Sequence, residues 1–577
     1  MKKSLIFLAL IIAFAGWFSL LIPWNLIPDP DAFYHITMAL RTWRFGPVLS
    51  FSWLDLTSLG AHFADQHFLF HILQIPFLWF FNPLTASRIS SISFAVLALT
   101  GITFIFYCLR LSPFWLWPLL LAASQPFATR MVQGKASPLV ILIWLIGLVA
   151  ALYLITQPKT VYDVKEQSLR GVRRRENLAI KLYLILFLSG LLFALTHGGW
   201  IILLLSVALL LAGNLLSDIS LKNFSFYHGL KNIRWHILIT PLLGIITGIL
   251  LHPGRKELLT LLWVQVFKVA IAAPSTVYLG MEWSGASLTD SIAIFSVFGV
   301  ILILVIPGLI IARRDRINLT LGNESLITQL PNSIRAEPLG GANFQIPTIT
   351  LMSQIVIWGI LVSALFALSL KAVRFAEYFQ PALAIWTAML AQLVDWKKLL
   401  KELSVGSTRF MPYLIKIMLF IVFFSVIFNS GWTAFTSLHN AGKFFDYQYQ
   451  IPMQAIIQKA QPGDRVYHVA WDEFPILFYY NQNLKYVSGL DPTFLYEASS
   501  TLSDNYSSLM MRPASSTRAQ VWSFIHDQIH ASYIVLDTSR WNKLAALIAT
   551  DPRYQKIAEG NGGAAFKVVD VPFGKGD

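Results

Sequence analysis

Cysteine is almost missing from this chain: Cys108 is the one example in 577 residues. It sits inside an apolar run, so disulfides within the chain and cysteine zinc sites are excluded. Charge is scarce as well. Asp, Glu, Lys and Arg make up 13% of the residues, about half the roughly 25% of an ordinary soluble domain. That shortfall excludes a soluble enzyme, a disordered scaffold and a fibrous protein. Nucleotide cradles are absent too. There is no P-loop and no G-x-G-x-x-G opening a βαβ unit, and neither HExxH nor G-x-S-x-G stands in a usable context.

Apolar sequence fills the space. Hydrophobic residues reach 56% and aromatics 14%, which marks a polytopic membrane protein. Met1-Lys2-Lys3 precedes an apolar run from Leu5 to Trp24, long enough to span and without a small-residue cleavage site. It reads as an uncleaved first span. Further spans are expected near 89–109, 113–128, 138–156, 181–197, 200–213, 237–251, 291–311, 348–370, 375–394 and 409–428, about eleven in all. His67–Phe81 is expected to lie along the membrane surface.

Loop charge orients these spans. The segment Lys159–Lys181 holds seven basic residues, and Arg313-Arg314-Asp315-Arg316 and Lys397-Lys398 fall on the same side. By the positive-inside rule that side is cytoplasmic, together with the N-terminus; the single cysteine and single-chain layout point to an inner or plasma membrane. From Asn429 onward there are 12 Lys+Arg and 13 Asp+Glu, leaving 32 and 17 in the preceding residues. The basic surplus therefore belongs to the membrane part, where it faces anionic lipid and not nucleic acid. Residues 1–428 are expected to form a transmembrane domain and 429–577 an extracytoplasmic α/β domain. In the latter, helix-like Ile451–Lys459, strand-like Asp464–Ala470, apolar Phe474–Tyr480, helical Ala519–His530, strand Ser532–Asp537, helical Lys543–Thr550 and strand Ala564–Val569 follow in order. Ser499–Ser516 reads as a polar, mobile loop.

Ionisable residues at the outer membrane face are the candidates for chemistry. Pro28-Asp29-Pro30-Asp31-Ala32-Phe33-Tyr34-His35 follows the first span. Its carboxylates and imidazole could bind a divalent cation or activate an acceptor hydroxyl or amide; equally, Asp29 or Asp31 could cap the next helix. Arg130 and Lys135, in Arg-Met-Val-Gln-Gly-Lys-Ala-Ser, could neutralise a phosphate or snorkel to headgroups. His197 lies in Thr-His-Gly-Gly-Trp, which could be a simple turn. Glu282 stands in a long outer loop and could close over substrate or be a solvated glutamate. Arg374-Phe375-Ala376-Glu377-Tyr378 opens the tenth span: Arg374 could clamp a phosphate, and Glu377 could pair with it one turn away.

In this order the landmarks resemble the GT-C superfamily of membrane glycosyltransferases, nearest in pattern to oligosaccharyltransferase catalytic subunits of the single-subunit bacterial and archaeal type. Asp31-Ala32-Phe33-Tyr34-His35 is similar to that family's first acidic motif, and Arg130–Ser137 stands where its second belongs. His197-Gly198-Gly199-Trp200 resembles a Trp-Gly-Gly-aromatic turn. Glu282 matches a loop glutamate, and Arg374-Phe375-Ala376-Glu377-Tyr378 resembles the segment whose arginine meets the donor phosphate. Two departures stand out. Lys135 occupies the place of a metal-binding carboxylate, and Ala470-Trp471-Asp472-Glu473-Phe474 replaces the Trp-Trp-Asp-Tyr-Gly that recognises the acceptor sequon.

The resemblance implies transfer of a sugar from a polyprenyl-linked donor to a glycan, lipid or protein acceptor. Asp31 would be the base, Arg374 with Lys135 and Arg130 would hold the leaving phosphate, and Glu282 would close the site. Asp29, His35, His197 and Glu377 would assist, and Trp471 and Asp472 would face the acceptor. Mn²⁺ or Mg²⁺ would sit on Asp31 and Glu282 in a metal-dependent oligosaccharyltransferase. The lysine instead favours a metal-independent enzyme using a polyprenyl-monophosphate sugar. Two other readings remain: a non-catalytic glycolipid-binding relative, and a lipid or glycan transporter, which would need polar residues along a path through the spans.

Overall fold

The computed structural model describes residues 2–24, 27–156, 169–222, 233–265, 268, 280, 283–322, 348–402, 411–442, 448–512 and 516–569. Among the described residues, eight helices are long and apolar enough to cross a bilayer: Lys3–Leu21, Pro83–Cys108, Ser137–Thr156, Glu176–Thr196, Ile201–Ile219, Leu288–Ile311, Leu351–Lys371 and Ile417–Ala441. Helices are what lipid permits, because every backbone N–H and C=O there must be bonded within the segment. The apolar helix His236–Leu251 and the helix Ala376–Ala391 complete the bundle. The protein is an integral membrane protein.

Close packing replaces the hydrophobic effect inside the bundle. Gly244 and Gly248, four residues apart on His236–Leu251, meet the helix Leu169–Thr196. A Cβ on Gly244 would collide with the carbonyl of Phe187, so only glycine lets these backbones approach so closely. At the centre, every residue of Ala376–Ala391 except Trp386 is buried. The indole of Trp358 donates to the Ala382 carbonyl at 2.8 Å, tying that helix to Thr348–Lys371.

One expected span differs. The span expected at 113–128 is instead two short helices, Leu116–Ala123 and Gln125–Met131, broken at Ser124. Pro126 at the start of the second prevents a continuous ladder, and the Gln125 amide donates to Ser430 Oγ at 2.8 Å. The segment near His67–Phe81 forms the helix Phe68–Leu78. Eleven residues rise only about 16 Å, too short to cross. Phe70, His71, Gln74 and Leu78 are buried on this helix, which packs against Asp31–Phe45 and Pro83–Cys108.

The last long helix, Met411–Gly442, carries the chain past Asn429 into a five-stranded mixed sheet. Its strands are β1 (Arg465–Tyr467), β2 (Lys485–Tyr486), β3 (Tyr533–Asp537), β4 (Tyr554–Gly560) and β5 (Gly563–Val568), in the order β2-β1-β3-β5-β4. β1 runs parallel to β2 and β3, while β5 is antiparallel to β3 and β4. The polar stretch expected to be a loop at 499–516 contains the helix Ser500–Met511. Ser499 Oγ caps it by accepting from the Leu502 amide, and Ser503, Tyr506, Leu509 and Met510 fall at helical spacing on its buried face. Buried residues recurring every three to four positions on one face outweighed the serine content.

The sheet region docks onto the bundle. Asp55 accepts from Arg465 and Lys485 at 2.9 and 2.8 Å, and Trp53 Nε1 donates to the Gln482 carbonyl at 2.7 Å. Phe33, Phe51 and Phe63 share one apolar cluster with Phe474, Phe478 and Tyr486.

Candidate active site

Where the sheet region meets the helix ends lies a cavity of about 700 Å³, well within the range of small-molecule sites. Asp29, Asp31, His35, Arg130, Lys135, His197, Arg374, Glu377, Trp471 and Asp472 all line it. Ten candidates from more than 440 residues of sequence thus converge. Glu282, the remaining candidate, lies outside the described residues.

The two aspartates are placed by the start of the helix Asp31–Phe45. Asp29 Oδ1 accepts from the Asp31 amide at 3.0 Å, although the N-cap itself is Pro30, and the other Asp29 oxygen is left for Lys135. The Lys135 ammonium bridges Asp29 Oδ2 at 3.1 Å and Asp31 Oδ2 at 2.9 Å. Backbone geometry makes this contact possible. Gly134 has φ +74°, and a Cβ there would come within 2.6 Å of the Ala32 Cβ, so glycine lets the loop lie flat on the helix start. Burial pushes the Asp29 carboxyl up to about 6, although the Lys135 charge opposes the rise.

Glu377 is answered by a different arginine from the one expected. Arg130 Nε donates to Glu377 Oε2 at 2.7 Å, and Ser137 Oγ donates to the same oxygen at 2.8 Å. Glu377 is buried, and an ionised carboxylate there needs such partners. The expected pair with Arg374 is not the one formed. Arg374 turns instead toward His197 and Trp283: its Nη2 lies 3.3 Å from His197 Nε2, and its guanidinium sits 5.1 Å from the Trp283 ring centre.

Hydrogen-bond direction gives that contact a meaning. The Gly199 amide donates to His197 Nδ1 at 2.7 Å, so a neutral His197 carries its proton on Nε2. An imidazole N–H and a guanidinium, which can only donate, therefore face one another. The glycines after His197 supply the turn, and Val373–Phe375 forms a short 3-10 turn that brings Arg374 to the cavity edge.

On the far side, Trp471 and Asp472 lie in the turn Trp471–Glu473. Asp472 is paired with Arg540 at 3.0 and 3.2 Å. The turn is fixed from behind by buried Glu473, which accepts from Tyr449 Oη and Trp541 Nε1, each at 2.8 Å, and from the Val469 and Ala470 amides. Burial, then the neighbouring Asp472, pushes the Glu473 carboxyl up to about 7.

Sequence reasoning missed Asp65, His67 and His71. His67 Nδ1 donates to the Thr196 carbonyl at 3.2 Å; burial, then the His71 charge, pushes its pKa down to about 4. The signal was present in Asp65-Gln66-His67-Phe68-Leu69-Phe70-His71, two histidines at helical spacing in an apolar segment. Trp283 was in the long outer segment but carries no motif.

A divalent cation does not fit the two aspartates as they stand, since the Lys135 ammonium already occupies the position between their carboxylates. Among the described residues, no three His, Cys, Asp or Glu side chains are arranged to hold a metal ion.

No protein-family model matches the sequence, and no curated protein is similar to it in sequence. Solved structures do match in fold. The archaeal oligosaccharyltransferase AglB of Archaeoglobus fulgidus, in complex with an inhibitory peptide and a dolichol-phosphate, superposes with a TM-score of 0.56 at 12% identity, covering 99% of this chain and 75% of AglB. ArnT of Cupriavidus metallidurans, bound to undecaprenyl phosphate, gives 0.53 at 14% identity, covering 98% of each chain. The apo form of the A. fulgidus oligosaccharyltransferase gives 0.56 at 12% identity over 95% of this chain and 73% of that one. The chain has the fold of these structures. At such identity the likeness carries the fold and no residue's role.

Proposed function

We propose that this protein is a membrane glycosyltransferase that moves a sugar from a polyprenyl-monophosphate donor to an acceptor at the face bearing the C-terminal domain. The observation that carries the reading is the convergence, in one cavity at the helix ends, of an Arg374–His197 donor pair and a Lys135-bound aspartate pair. Two structures of the same fold hold dolichol-phosphate and undecaprenyl phosphate, which supports a donor whose tail stays in the bilayer.

Each residue then has a task. Arg374 and the His197 N–H take the phosphate oxygens as charge develops on the leaving group, the form of stabilisation that contributes most to catalysis in a site shielded from water. Asp31 accepts the acceptor's hydrogen bond and so orients and activates it. Lys135 holds Asp29 and Asp31 in place and supplies a fixed positive charge where related chemistry would use a metal ion. Arg130, Ser137 and Glu377 brace the loop that carries Lys135. Trp471 and Asp472 form the acceptor wall. The N-terminus is cytoplasmic and the C-terminal domain extracytoplasmic, a placement that the loop charges support.

The test is transfer or donor hydrolysis by purified protein, using radiolabelled polyprenyl-phosphate and polyprenyl-pyrophosphate sugars with and without EDTA. Turnover of the monophosphate donor that ignores EDTA and falls about 10²- to 10⁴-fold in Asp31→Asn is expected. EDTA-sensitive turnover of the pyrophosphate donor would replace this reading with an oligosaccharyltransferase. Donor binding without any turnover would make the protein a glycolipid-binding relative.

A further inference from the structure

Behind Asp31 lies a row of buried polar groups that the function above does not use. His71 is wholly buried, and Asp65 and His35 are each 4% exposed. Burying a carboxylate and two imidazoles is costly unless each is bonded, and here the bonding is continuous. Asp65 Oδ2 lies 2.7 Å from His71 Nδ1, and His71 Nε2 lies 2.8 Å from His35 Nδ1. Asp65 is held in place by the His67 amide, which donates to its Oδ1 at 3.1 Å, and by His252 Nε2, 2.9 Å from its carbonyl.

The direction of the chain follows from Asp65. Burial raises its carboxyl, but the His71 and His67 contacts outweigh this and leave it below the ordinary carboxylate range. It is ionised and can only accept. His71 therefore donates from Nδ1, its neutral Nε2 accepts from His35 Nδ1–H, and the lone pair of His35 is left on Nε2. His35 lines the cavity and sits one helical turn from Asp31, on the same helix face.

We propose that Asp65, His71 and His35 form a proton relay that draws the acceptor's proton out of the cavity during sugar transfer. The proposal rests on the glycosyltransferase reading. An acceptor X–H, held by Asp31, forms its bond to the anomeric carbon as the bond from that carbon to the donor phosphate oxygen breaks, and the electron pair stays on the phosphate. The X–H proton passes by way of the Asp31 carboxylate to His35 Nε2 while the Nδ1 proton of His35 passes to His71 Nε2. Positive charge then rests on His71 against Asp65, as an ion pair and not as an isolated charge. His35 alone is a poor seat for it, because burial and then the His67, His71, Lys135 and His197 charges hold its pKa well below the ordinary value. His35 is the catalytic residue of the three, and His71 and Asp65 act through it.

The test is the single-turnover rate of the full-length protein with a polyprenyl-phosphate sugar, beside its affinity for that donor. Asp65→Asn, His71→Gln and His35→Ala should each slow transfer by at least about 10²-fold with donor affinity unchanged. Added imidazole should restore His35→Ala saturably, which repair of a packing defect would not do. Variants that bind donor and transfer at the wild-type rate, or a His35→Ala protein deaf to imidazole, would overturn the relay. If the variants do not fold, the wild type in H₂O/D₂O mixtures decides: two protons moving together give a bowed rate plot, whereas a linear or flat plot overturns the proposal. A wild type that transfers no sugar removes both the relay and the parent reading. A wild type that needs Asp31 but not Asp65 removes the relay alone.

Discussion

Lys135 sets the electrostatics of the cavity. Two carboxylates on a helix start repel one another and favour protonation; an ammonium 3.1 and 2.9 Å from them cancels that repulsion without a dissociable ion. It is also a compact point charge on a flexible stem, which arginine could not copy in the same space. Lys135→Met leaves Asp29 and Asp31 facing each other with no cation. Transfer in EDTA should then fall by about 10²-fold or more, and millimolar Mn²⁺ should restore part of it, because the pair becomes a site for a hard cation. Undiminished transfer by Lys135→Met in EDTA would show that the ammonium is dispensable. His35, His67, His71 and His197 show the same lesson from the other side: each was visible as a residue, but spacing in the chain does not say which imidazoles touch.

At the scale of elements, the helix pair Leu169–Thr196 and His236–Leu251 depends on a glycine seam. Without water to drive association, backbone contact supplies the attraction. Gly244→Leu would force the Phe187 carbonyl away and separate the pair, at a cost of about 1–3 kcal/mol or more. Thermal unfolding in detergent should show a clear drop in midpoint, whereas Leu243→Ala on the exposed flank of the same helix should change little. The helix Ser500–Met511 teaches a related point. Serine content suggested a loop, yet a capping hydroxyl and four buried residues at helical spacing made a helix. Local composition loses to a face that tertiary contacts can bury.

For the whole molecule, the proposed orientation rests on loop charge and is open to a direct check. Cys108 is the single native thiol, so a Cys108→Ser background allows one cysteine to be placed at a time. Lys459→Cys, exposed on the C-terminal domain, should react with a membrane-impermeant thiol reagent on intact cells; Lys397→Cys, exposed between bundle helices, should react only after permeabilisation. The reverse pattern would invert the topology and with it the side on which the donor's sugar must lie. The domain's seat on the bundle, through Asp55 with Arg465 and Lys485, makes the cavity a property of both parts.

Sequence by itself determined the membrane character, the approximate spans, the α/β tail and ten residues that meet in the cavity. It could do so because apolar length, loop charge and costly ionisable residues are each local quantities. Tertiary structure decided the pairings: Arg130 and not Arg374 on Glu377, Lys135 between the aspartates, and Asp65–His71–His35 in a row. Those depend on distances between helices far apart in the chain, and charge complementarity allows several solutions that only packing resolves. The broken helix at Ser124 belongs with them, since the Gln125 amide at the break donates to Ser430, 305 residues away.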